Sequence, residues 1–349
     1  MDFYAHFVRS FCRPGPSCLY LLFGLIVVSS EPASIHAVQP PATVANSQTQ
    51  EQDGTPQEKE PDKFDGEFAY AVLKQICDLG PRISGTEGML KQQELLKAHI
   101  EANGGTVHEH KFNVASPLDG KIVEMKNLFG RWHPDRKKRV VICCHYDTRP
   151  FADRDKENPQ GVFLGANDGA SGVGLLSELA RHLSGLDGKY GIDICFFDGE
   201  EFVYVARRDP MFIGSTAFAN AYARNEWDVK YSLAILVDMI GDSNLQIYME
   251  ENSLKMAPRL TKSVWAVAQD MGVKEFIGKK KHVIRDDHLP LNTIARIDTC
   301  DIIDFDYPDE TSENAFWHTT KDIPENCSAE SIGKVGSVIL EYLRRLQKL

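Results

Sequence analysis

Residues 192–201 read Ile-Asp-Ile-Cys-Phe-Phe-Asp-Gly-Glu-Glu, a short, mostly apolar run that ends in carboxylates. A second run of the same kind, residues 140–147, reads Val-Val-Ile-Cys-Cys-His-Tyr-Asp. Nearly continuous apolar runs of this length are typical of strands buried on both faces of a sheet, because a solvated face would require polar residues at alternate positions. Both runs end in polar side chains, so the chemistry of the molecule is expected where these strands end.

The rest of the chain alternates between similar apolar runs and helical patterns. Apolar runs recur at residues 233–237 and 302–305. Helical periodicity follows Asp168 and returns near the end of the chain, and we interpret both apolar faces as core. Their apolar positions are Val173, Leu176, Ala180 and Leu183 in the first of these helices and Ile332, Val335, Ile339 and Leu343 in the last. Strands separated by helices predict an α/β fold in a single domain, with a central mixed, mostly parallel β-sheet flanked by helices.

Two amphipathic helices are predicted ahead of these strands. Apolar residues spaced four apart from Phe64 to Ile76 predict the first. Ser84 and Glu87 have the spacing of a capping box, which predicts the start of the second. The second helix is expected to end near Gly104, since glycine is favoured just beyond a helix C-terminus.

The N-terminal part of the chain has a different composition. Arg9 and Arg13 precede an apolar run from Cys18 to Val28, and small residues follow, which is the order of a secretory signal. The run is about half of the ~20 residues that span a bilayer, so no stable membrane span is expected. We predict three segments: a signal peptide over 1–37, a disordered linker rich in Pro, Gln and Ser over 38–62, and a folded domain over 63–349. The protein is therefore expected to be exported, periplasmic or extracellular, and to be membrane-tethered if the signal is uncleaved.

Composition and charge exclude several classes of protein. The 349 residues are 42% hydrophobic and 26% charged, which is ordinary for a globular protein. The formal net charge of -11 disfavours general affinity for nucleic acid, and we interpret the basic run Arg136 to Arg139 as a solvated turn. No nucleic-acid partner is expected. The six cysteines beyond the signal have no paired spacing, so no disulfide framework is predicted.

Carboxylates and histidines follow the ends of three predicted strands, and two more stand in a loop at a helix start and after the aromatic pair Phe316-Trp317. The residues in question are His145, Asp147, Asp168, Asp198, Glu200, Glu201, Asp238 and His318. Adjacent carboxylates such as Glu200 and Glu201 at a strand end repel one another and lose solvation unless a cation compensates them. Oxygen and imidazole ligands without a cysteine pair suit zinc, in a site left open for catalysis.

These residues lie in sequence blocks that resemble the co-catalytic zinc aminopeptidase superfamily, and within it the glutaminyl-peptide cyclotransferases, or glutaminyl cyclases. The similarity runs from Gly80-Pro81-Arg82 to the last helix. Its strongest blocks are Cys144-His145-Tyr146-Asp147-Thr148, Gly165-Ala166-Asn167-Asp168, Phe196-Phe197-Asp198-Gly199-Glu200-Glu201, Val237-Asp238-Met239-Ile240-Gly241, Asp286-Asp287-His288-Leu289-Pro290 and Trp317-His318-Thr319. Several blocks in order along one chain make a specific signal, and the resemblance implies that residues 63–349 form a zinc-dependent catalytic domain.

The resemblance implies a role for each residue of the metal site. Asp168, Glu201 and His318 match the ligands of the cyclase zinc, and Glu200 matches the general acid/base. In the aminopeptidases a second zinc is held by the residues matching His145 and Asp238, with the one matching Asp168 as a bridge. In cyclases the same pair is usually metal-free and hydrogen-bonded. One zinc is therefore expected, with two as the alternative.

Other residues match the surroundings of the site. Asp147 matches a carboxylate that orients the imidazole of His145. Asp286 matches a cyclase carboxylate that joins Asp238 in a proton-handling network, and Trp317 matches an aromatic wall of the cyclase pocket. Two positions depart from the animal cyclases: Ala206 stands where they have a second pocket tryptophan, and Asp301 stands where they have a pocket histidine.

The resemblance leaves three functions open. A cyclotransferase would convert the N-terminal Gln of a peptide to pyroglutamate with release of ammonia. An aminopeptidase would hydrolyse the N-terminal peptide bond through a metal-bound water. A non-catalytic binding module of the same fold is the third, although such a module is expected to have lost metal ligands or the base, and none is missing here. Either enzyme would have peptide or protein N-termini as its substrate.

Overall fold

A six-stranded sheet forms the centre of the computed structural model, which describes residues 63–308 and 315–349. Its strands are β1 (Thr106–Ala115), β2 (Ile122–Trp132), β3 (Lys138–His145), β4 (Gly191–Phe197), β5 (Lys230–Asp238) and β8 (Thr299–Ile303). They lie in the order β1-β2-β4-β3-β5-β8. Two further strands, β6 (Ile247–Met249) and β7 (Phe276–Lys280), pair in parallel as a separate small sheet.

The sheet is mixed, as predicted. Strands β4, β3, β5 and β8 run parallel to one another, whereas β1 and β2 form an antiparallel ribbon along the β4 edge. Parallel neighbours need long connections, and helices supply them. The carboxyl ends of the four parallel strands therefore meet at one edge of the sheet, which is where the predicted chemistry lies.

Helices cover both faces of the sheet. They are α1 (Gly66–Asp78), α2 (Glu87–Ala102), α3 (Ser171–Leu183), α4 (Ile213–Ala223), α5 (Glu251–Met256), α6 (Pro258–Asp270), α7 (His288–Pro290) and α8 (Ala329–Gln347). Successive side chains of β3 alternate between two apolar cores: Ile142 packs into the core under α1, α3 and α8, and Cys143 into the core under α4. The α/β single-domain prediction is confirmed, and both predicted helical core faces are buried.

The start of the second helix differs from the prediction. Helix α2 begins at Glu87, its N-cap is Thr86, and the side chain of Thr86 makes no capping bond. The hydroxyl of Ser84 instead donates a 2.6 Å hydrogen bond to Asp198 Oδ1, beyond the end of β4. The predicted capping box is therefore wrong, because a tertiary acceptor outside the helix takes the Ser84 hydroxyl. The first helix also begins later than the apolar pattern, after Phe64.

The interpretation of the basic run as a solvated turn is wrong at Arg139. This residue is completely buried, and its guanidinium donates to Asp193 Oδ1 and to backbone carbonyls. Arg131 and the hydroxyl of Tyr231 contact the other oxygen of the same carboxylate. A buried charge is tolerated when it is paired and hydrogen-bonded, and this cluster meets both conditions.

The remaining predictions concern the N-terminal segments, membrane spans and cysteines. The predicted signal peptide (1–37) and linker (38–62) lie outside the described residues. Within residues 63–308 and 315–349 no helix is long and apolar enough to cross a membrane. The six cysteines in these ranges are all buried and unpaired.

Candidate metal centre

The ends of three neighbouring strands bring the candidate residues together. Strand β3 ends at His145, β5 ends at Asp238, and β4 leads directly into Asp198–Glu201. Because these strands are parallel neighbours, their last residues lie side by side at one edge of the sheet. His318, from a loop distant in sequence, completes the group.

Asp168 is positioned by a single irregular turn before α3. Asp168 itself and Gly169 depart from helical backbone angles within the turn Ala166–Ala170, with φ = -87° and ψ = 88° at Asp168 and φ = 106° at Gly169. A side chain at Gly169 would meet the carbonyl of Asp147 at 3.1 Å, so only glycine allows this close approach. The buried carboxylate of Asp322 accepts the backbone N–H groups of Asn167 and Asp168 at 2.7 and 3.1 Å. The turn is thus held from two sides.

Asp168, Glu201 and His318 converge on one point. His318 Nε2 lies 3.1 Å from Glu201 Oε1 and 3.2 Å from Asp168 Oδ2, and all three residues are buried. With metal–ligand distances of about 2.0–2.1 Å, two ligand atoms of a tetrahedral zinc lie roughly 3.3 Å apart. Among the described residues Asp168 Oδ2 has no hydrogen-bond partner, despite the nearby imidazole. Three ligand atoms at this spacing, of which only the His318–Glu201 pair is aligned as a hydrogen bond, fit the ligands of a shared cation.

A second triad has the same spacing. His145 Nε2 lies 3.1 Å from Asp168 Oδ1 and 3.2 Å from Asp238 Oδ1. Asp168 therefore directs one oxygen to each triad, as a bridging carboxylate would. The geometry accommodates either one ion with a hydrogen-bonded His145 or two ions.

The electrostatics of the first triad favour a cation. Burial lowers the pKa of His318, but Glu201 and Asp168 outweigh burial and raise that pKa to about 9. Burial raises the pKa of Glu201, but His318 and Arg149 outweigh it and hold that pKa well below its ordinary value. The site thus attracts positive charge, and a divalent ion can replace the proton on the imidazole.

Glu200 differs from its neighbour. Its pKa is raised well above the ordinary value by burial and then by the charge of Glu201. The backbone N–H groups of Glu200 and Glu201 donate to the two oxygens of Asp147 at 3.1 and 2.9 Å. The nearest approach of Asp147 to His145 Nδ1 is 3.7 Å, too long for a hydrogen bond. In this structure Asp147 fixes the backbone that carries both glutamates rather than the imidazole.

A further cluster of buried ionisable residues lies close enough to Asp238 to feel its charge. Asp286, His288 and Asp301 form a further set of potential ligand atoms, all buried. Burial, followed by the charge of Asp238, raises the pKa of Asp286 well above its ordinary value. Asp286 Oδ2 has no hydrogen-bond partner among the described residues, so the predicted network with Asp238 is present as proximity of charge rather than as a hydrogen bond. Burial favours the protonated forms of Asp286 and Asp301 and the neutral form of the His288 imidazole.

Three supporting residues were not predicted to act here. Arg149 pairs with Glu201 Oε2 and donates to Asp153 Oδ1 at 2.8 Å, and the same Asp153 oxygen lies 3.6 Å from His318 Nδ1. Arg149 thereby leaves only Glu201 Oε1 facing the first triad. The third is Asp322, which holds the Asp168 turn. Their partners are distant in the chain, and the only signal was the position of Arg149 after the His-Tyr-Asp block.

Aromatic residues line the side of the site next to His318. The ring of Trp317 is half-buried, with its centroid 4.2 Å from that of His318 and 4.9 Å from that of Phe305. Ala206 is exposed on the loop after Glu201 and adds no aromatic wall. Asp301 is completely buried within β8 and adds no aromatic wall either. The aromatic surface therefore comes mainly from the His318 side.

The chain is similar to a known peptidase family and to characterised cyclotransferases. The model of peptidase family M28 matches residues 127–343. The glutaminyl-peptide cyclotransferase of Bothrops jararaca is 26% identical over 300 residues, which cover 75% of this chain and 77% of that protein.

Solved structures are similar over a larger share. Fimbriiglobus ruber glutaminyl cyclase is 36% identical with a TM-score of 0.76, and the alignment covers 84% of this chain and 99% of that one. A leucine aminopeptidase precursor from Bacteroides thetaiotaomicron is 33% identical with a TM-score of 0.73, covering 82% and 98%. Both enzyme classes that the sequence left open are thus represented among its relatives.

Proposed function

The chain belongs to peptidase family M28, and we propose that within this family it is a zinc-dependent glutaminyl-peptide cyclotransferase, which converts N-terminal Gln to pyroglutamate and releases ammonia. Residues 63–349 form the catalytic domain in this proposal. Residues 1–37 are its signal peptide and 38–62 its linker, so that the enzyme acts outside the cytoplasm on peptide N-termini. Four bacterial glutaminyl cyclases, 31–36% identical over more than four-fifths of the chain, support this assignment.

The observation that carries the proposal is the buried acid pair Glu200 and Asp286. Burial raises the pKa of both carboxyls well above the ordinary value, and the charges of Glu201 and Asp286 raise the pKa of Glu200 further. Cyclisation moves one proton from the substrate amine to the departing nitrogen, and no water takes part. A buried carboxyl with a raised pKa suits this task, because it can hold the proton between the two steps.

The residues present fit a single zinc held by Asp168, Glu201 and His318, since their ligand atoms have tetrahedral spacing and Asp168 Oδ2 is otherwise unpartnered. When bound, zinc would supply Lewis-acid polarisation of the substrate side-chain carbonyl. His145 and Asp238 act in this proposal as a hydrogen-bonded pair, 3.2 Å apart, that holds Asp168 in place. The carboxylate of Asp147 accepts the backbone N–H of Glu200 and so fixes the backbone that carries the Glu200 side chain.

Glu200 performs both proton transfers. The neutral α-amine attacks the side-chain amide carbon of Gln, a C–N bond forms, and Glu200 accepts the proton from the amine. Glu200 then returns that proton to the amide nitrogen, the original C–N bond breaks, and ammonia leaves. Asp286 assists by favouring the protonated form of Glu200 between the two steps, and Trp317 packs against the substrate.

An aminopeptidase is the second candidate function. Two observations favour it: the second triad has the spacing of a metal site, and a leucine aminopeptidase precursor is 33% identical. In that reaction Glu200 would take a proton from water, and the first peptide bond would be hydrolysed. The retained candidate ligands and base fit either enzyme better than a non-catalytic binding module.

An assay of the purified domain with two peptides separates the enzymes. One peptide begins with Gln and the other with Leu, and both ammonia and free amino acid are measured. The proposal expects ammonia from the Gln peptide and no amino acid from either. Release of leucine without ammonia would assign the aminopeptidase reaction instead.

A further inference from the structure

Arg154 is fixed at the rim of the candidate site. Its backbone N–H donates to the carbonyl of His318 at 3.1 Å. One residue further on, Asp155 accepts both the backbone N–H and the hydroxyl of Thr320. The two loops are therefore joined at Arg154 and at Asp155, and the backbone of Arg154 has a defined place beside a candidate metal ligand.

The side chain of Arg154 lies on the aromatic wall. Its guanidinium carbon is 4.2 Å from the centroid of the Trp317 ring, and the residue is exposed to solvent. A guanidinium over an aromatic face is held by the ring, while its N–H donors remain available for a carboxylate. Arg154 thus presents preorganised donors beside the half-buried Trp317.

The carboxylates on either side of Arg154 are engaged elsewhere. Asp153 contacts Arg149 and faces His318 Nδ1. Asp155 receives two N–H groups on Oδ1, in addition to the two Thr320 donors on Oδ2. Arg154 itself makes no ion pair within residues 63–308 and 315–349. Among the described residues, therefore, no carboxylate pairs with this cation at the rim, in a protein whose net charge is -11.

We propose that Arg154 selects peptides with an acidic residue directly after the N-terminal residue. The inference rests on the proposed function, because it assumes that the first residue of the peptide lies at the Asp168, Glu201 and His318 triad. An extended peptide advances about 3.3 Å per residue, and the proposal places the side chain after the first residue beside the loop next to His318. An Asp or Glu carboxylate there can accept two N–H groups of Arg154.

The test compares three peptides that differ only in the second residue: Gln-Glu, Gln-Gln and Gln-Lys at the N-terminus. Ammonia release gives kcat/KM for each. The unmutated enzyme should prefer Gln-Glu over Gln-Gln by about two- to five-fold, the range of a solvent-exposed ion pair, and the difference should lie in KM. Arg154→Gln should bring that ratio close to one, and Arg154→Glu should favour Gln-Lys. Salt should weaken the preference.

Arg224→Gln is the matched control. Arg224 is also exposed and lies just beyond the end of α4, and in the described part of the chain its ion pair is with Glu226 alone. Its loss changes the net charge equally and should leave all three rates unchanged. An unaltered Glu-to-Lys ratio in Arg154→Glu, or an equal change in Arg224→Gln, overturns the proposal.

A separate readout distinguishes this inference from the proposed function. Equilibrium binding of the same peptides to zinc-loaded enzyme is measured alongside turnover. Absence of ammonia from every peptide would contradict the cyclase reaction. The relative affinities of the three peptides would still decide the role of Arg154. Stronger binding of Gln-Glu that is lost in Arg154→Gln supports the role, and equal binding of all three peptides rejects it.

Discussion

Glu200 and Glu201 are adjacent in the chain and buried alike, yet their pKa values move in opposite directions. Burial raises both, but only Glu201 faces His318 and Arg149, whose positive charges lower its pKa. The side chain that stays charged suits a metal ligand, and the one that favours a proton suits an acid/base. Position relative to neighbouring cations therefore divides two identical side chains into two roles.

Replacing Glu200 by Gln tests the acid/base role. The amide cannot accept a proton, whereas Glu201 is left unchanged, so zinc content and fold should be kept. Turnover should fall roughly 10²- to 10⁴-fold, the usual contribution of a general acid/base. Steady-state rates and zinc analysis on the same sample provide the check, and more than half the original rate in a zinc-replete sample would remove Glu200 from the mechanism.

Replacing His318 by Ala tests the ligand assignment. Three protein ligands become two, and an open catalytic site has no spare, so zinc affinity should fall by at least about 100-fold. His182→Ala is the control, because His182 lies on α3 and contacts Glu178 at 2.9 Å. Competition with a chromogenic chelator measures both, and equal loss of zinc in the two variants would show the assignment to be wrong.

His145, Glu201 and Asp238 could be picked out from the sequence because they follow apolar runs whose ends meet at one edge of the sheet, whereas the ligand roles of Asp168 and His318 came from the resemblance to the zinc aminopeptidase superfamily. The residues that hold these ligands in place could not be predicted in the same way. Arg149 reaches Glu201 across 52 residues and Asp322 reaches Asp168 across 154, and each alone has the properties of an ordinary surface-type charge. Only the folded backbone places these partners together.

At the scale of secondary-structure elements, one short turn sets the position of Asp168. The turn Ala166–Ala170 leads into α3, and Asp322 accepts two of its backbone N–H groups. The hydroxyl of Tyr307 donates to the same carboxylate at 3.1 Å. Asp322 therefore connects the loop after β8 to the start of α3.

Asp322→Ala should loosen this turn. Two buried N–H groups would lose their acceptor, which costs about 2–4 kcal/mol of unfolding free energy. Zinc affinity should fall roughly 10- to 100-fold because Asp168 is no longer held. Denaturant unfolding and chelator competition measure the two effects. Tyr307→Phe, which keeps both backbone bonds, should retain zinc, and loss of zinc in the control alone would contradict the role of Asp322.

Strands could be predicted from the sequence where they are buried on both faces, because such strands are nearly continuous apolar runs. The apolar runs in β3, β4 and β5 match the structure closely, whereas the run predicted at 302–305 lies partly beyond β8. The antiparallel ribbon of β1 and β2 was not predicted. β1 has alternating exposure along a solvated edge, and such a strand has little continuous apolar signal.

At the scale of the whole molecule, burial of carboxyl groups away from the site affects stability. Asp304 is fully buried and accepts the backbone N–H groups of Gln246 and Asp306. Burial, together with the nearby charges of Asp242 and Asp306, raises the pKa of Asp304 from 3.8 to about 8. The folded state thus holds a proton that the unfolded chain releases above about pH 4.

This difference gives a pH dependence with a definite sign. The contribution of Asp304 to stability is fully present below about pH 4 and is lost as pH rises towards 8, by at most about 1.4 kcal/mol per pH unit. Asp304→Asn cannot titrate, so its free energy of unfolding should fall less steeply than that of the unmutated protein between pH 5 and 8. Urea unfolding of both at several pH values measures this, and parallel curves would contradict the assignment.

The most direct measurement for the one-zinc cyclase site is the zinc content of the unmutated protein. The domain is purified without chelator, supplied with zinc, separated from free metal, and analysed for zinc and protein. We expect one tightly held zinc per chain, on Asp168, Glu201 and His318, with His145 and Asp238 as a hydrogen-bonded pair. Two tightly held zinc ions per chain would contradict the cyclase-type site and assign the second triad to the co-catalytic metal of an aminopeptidase.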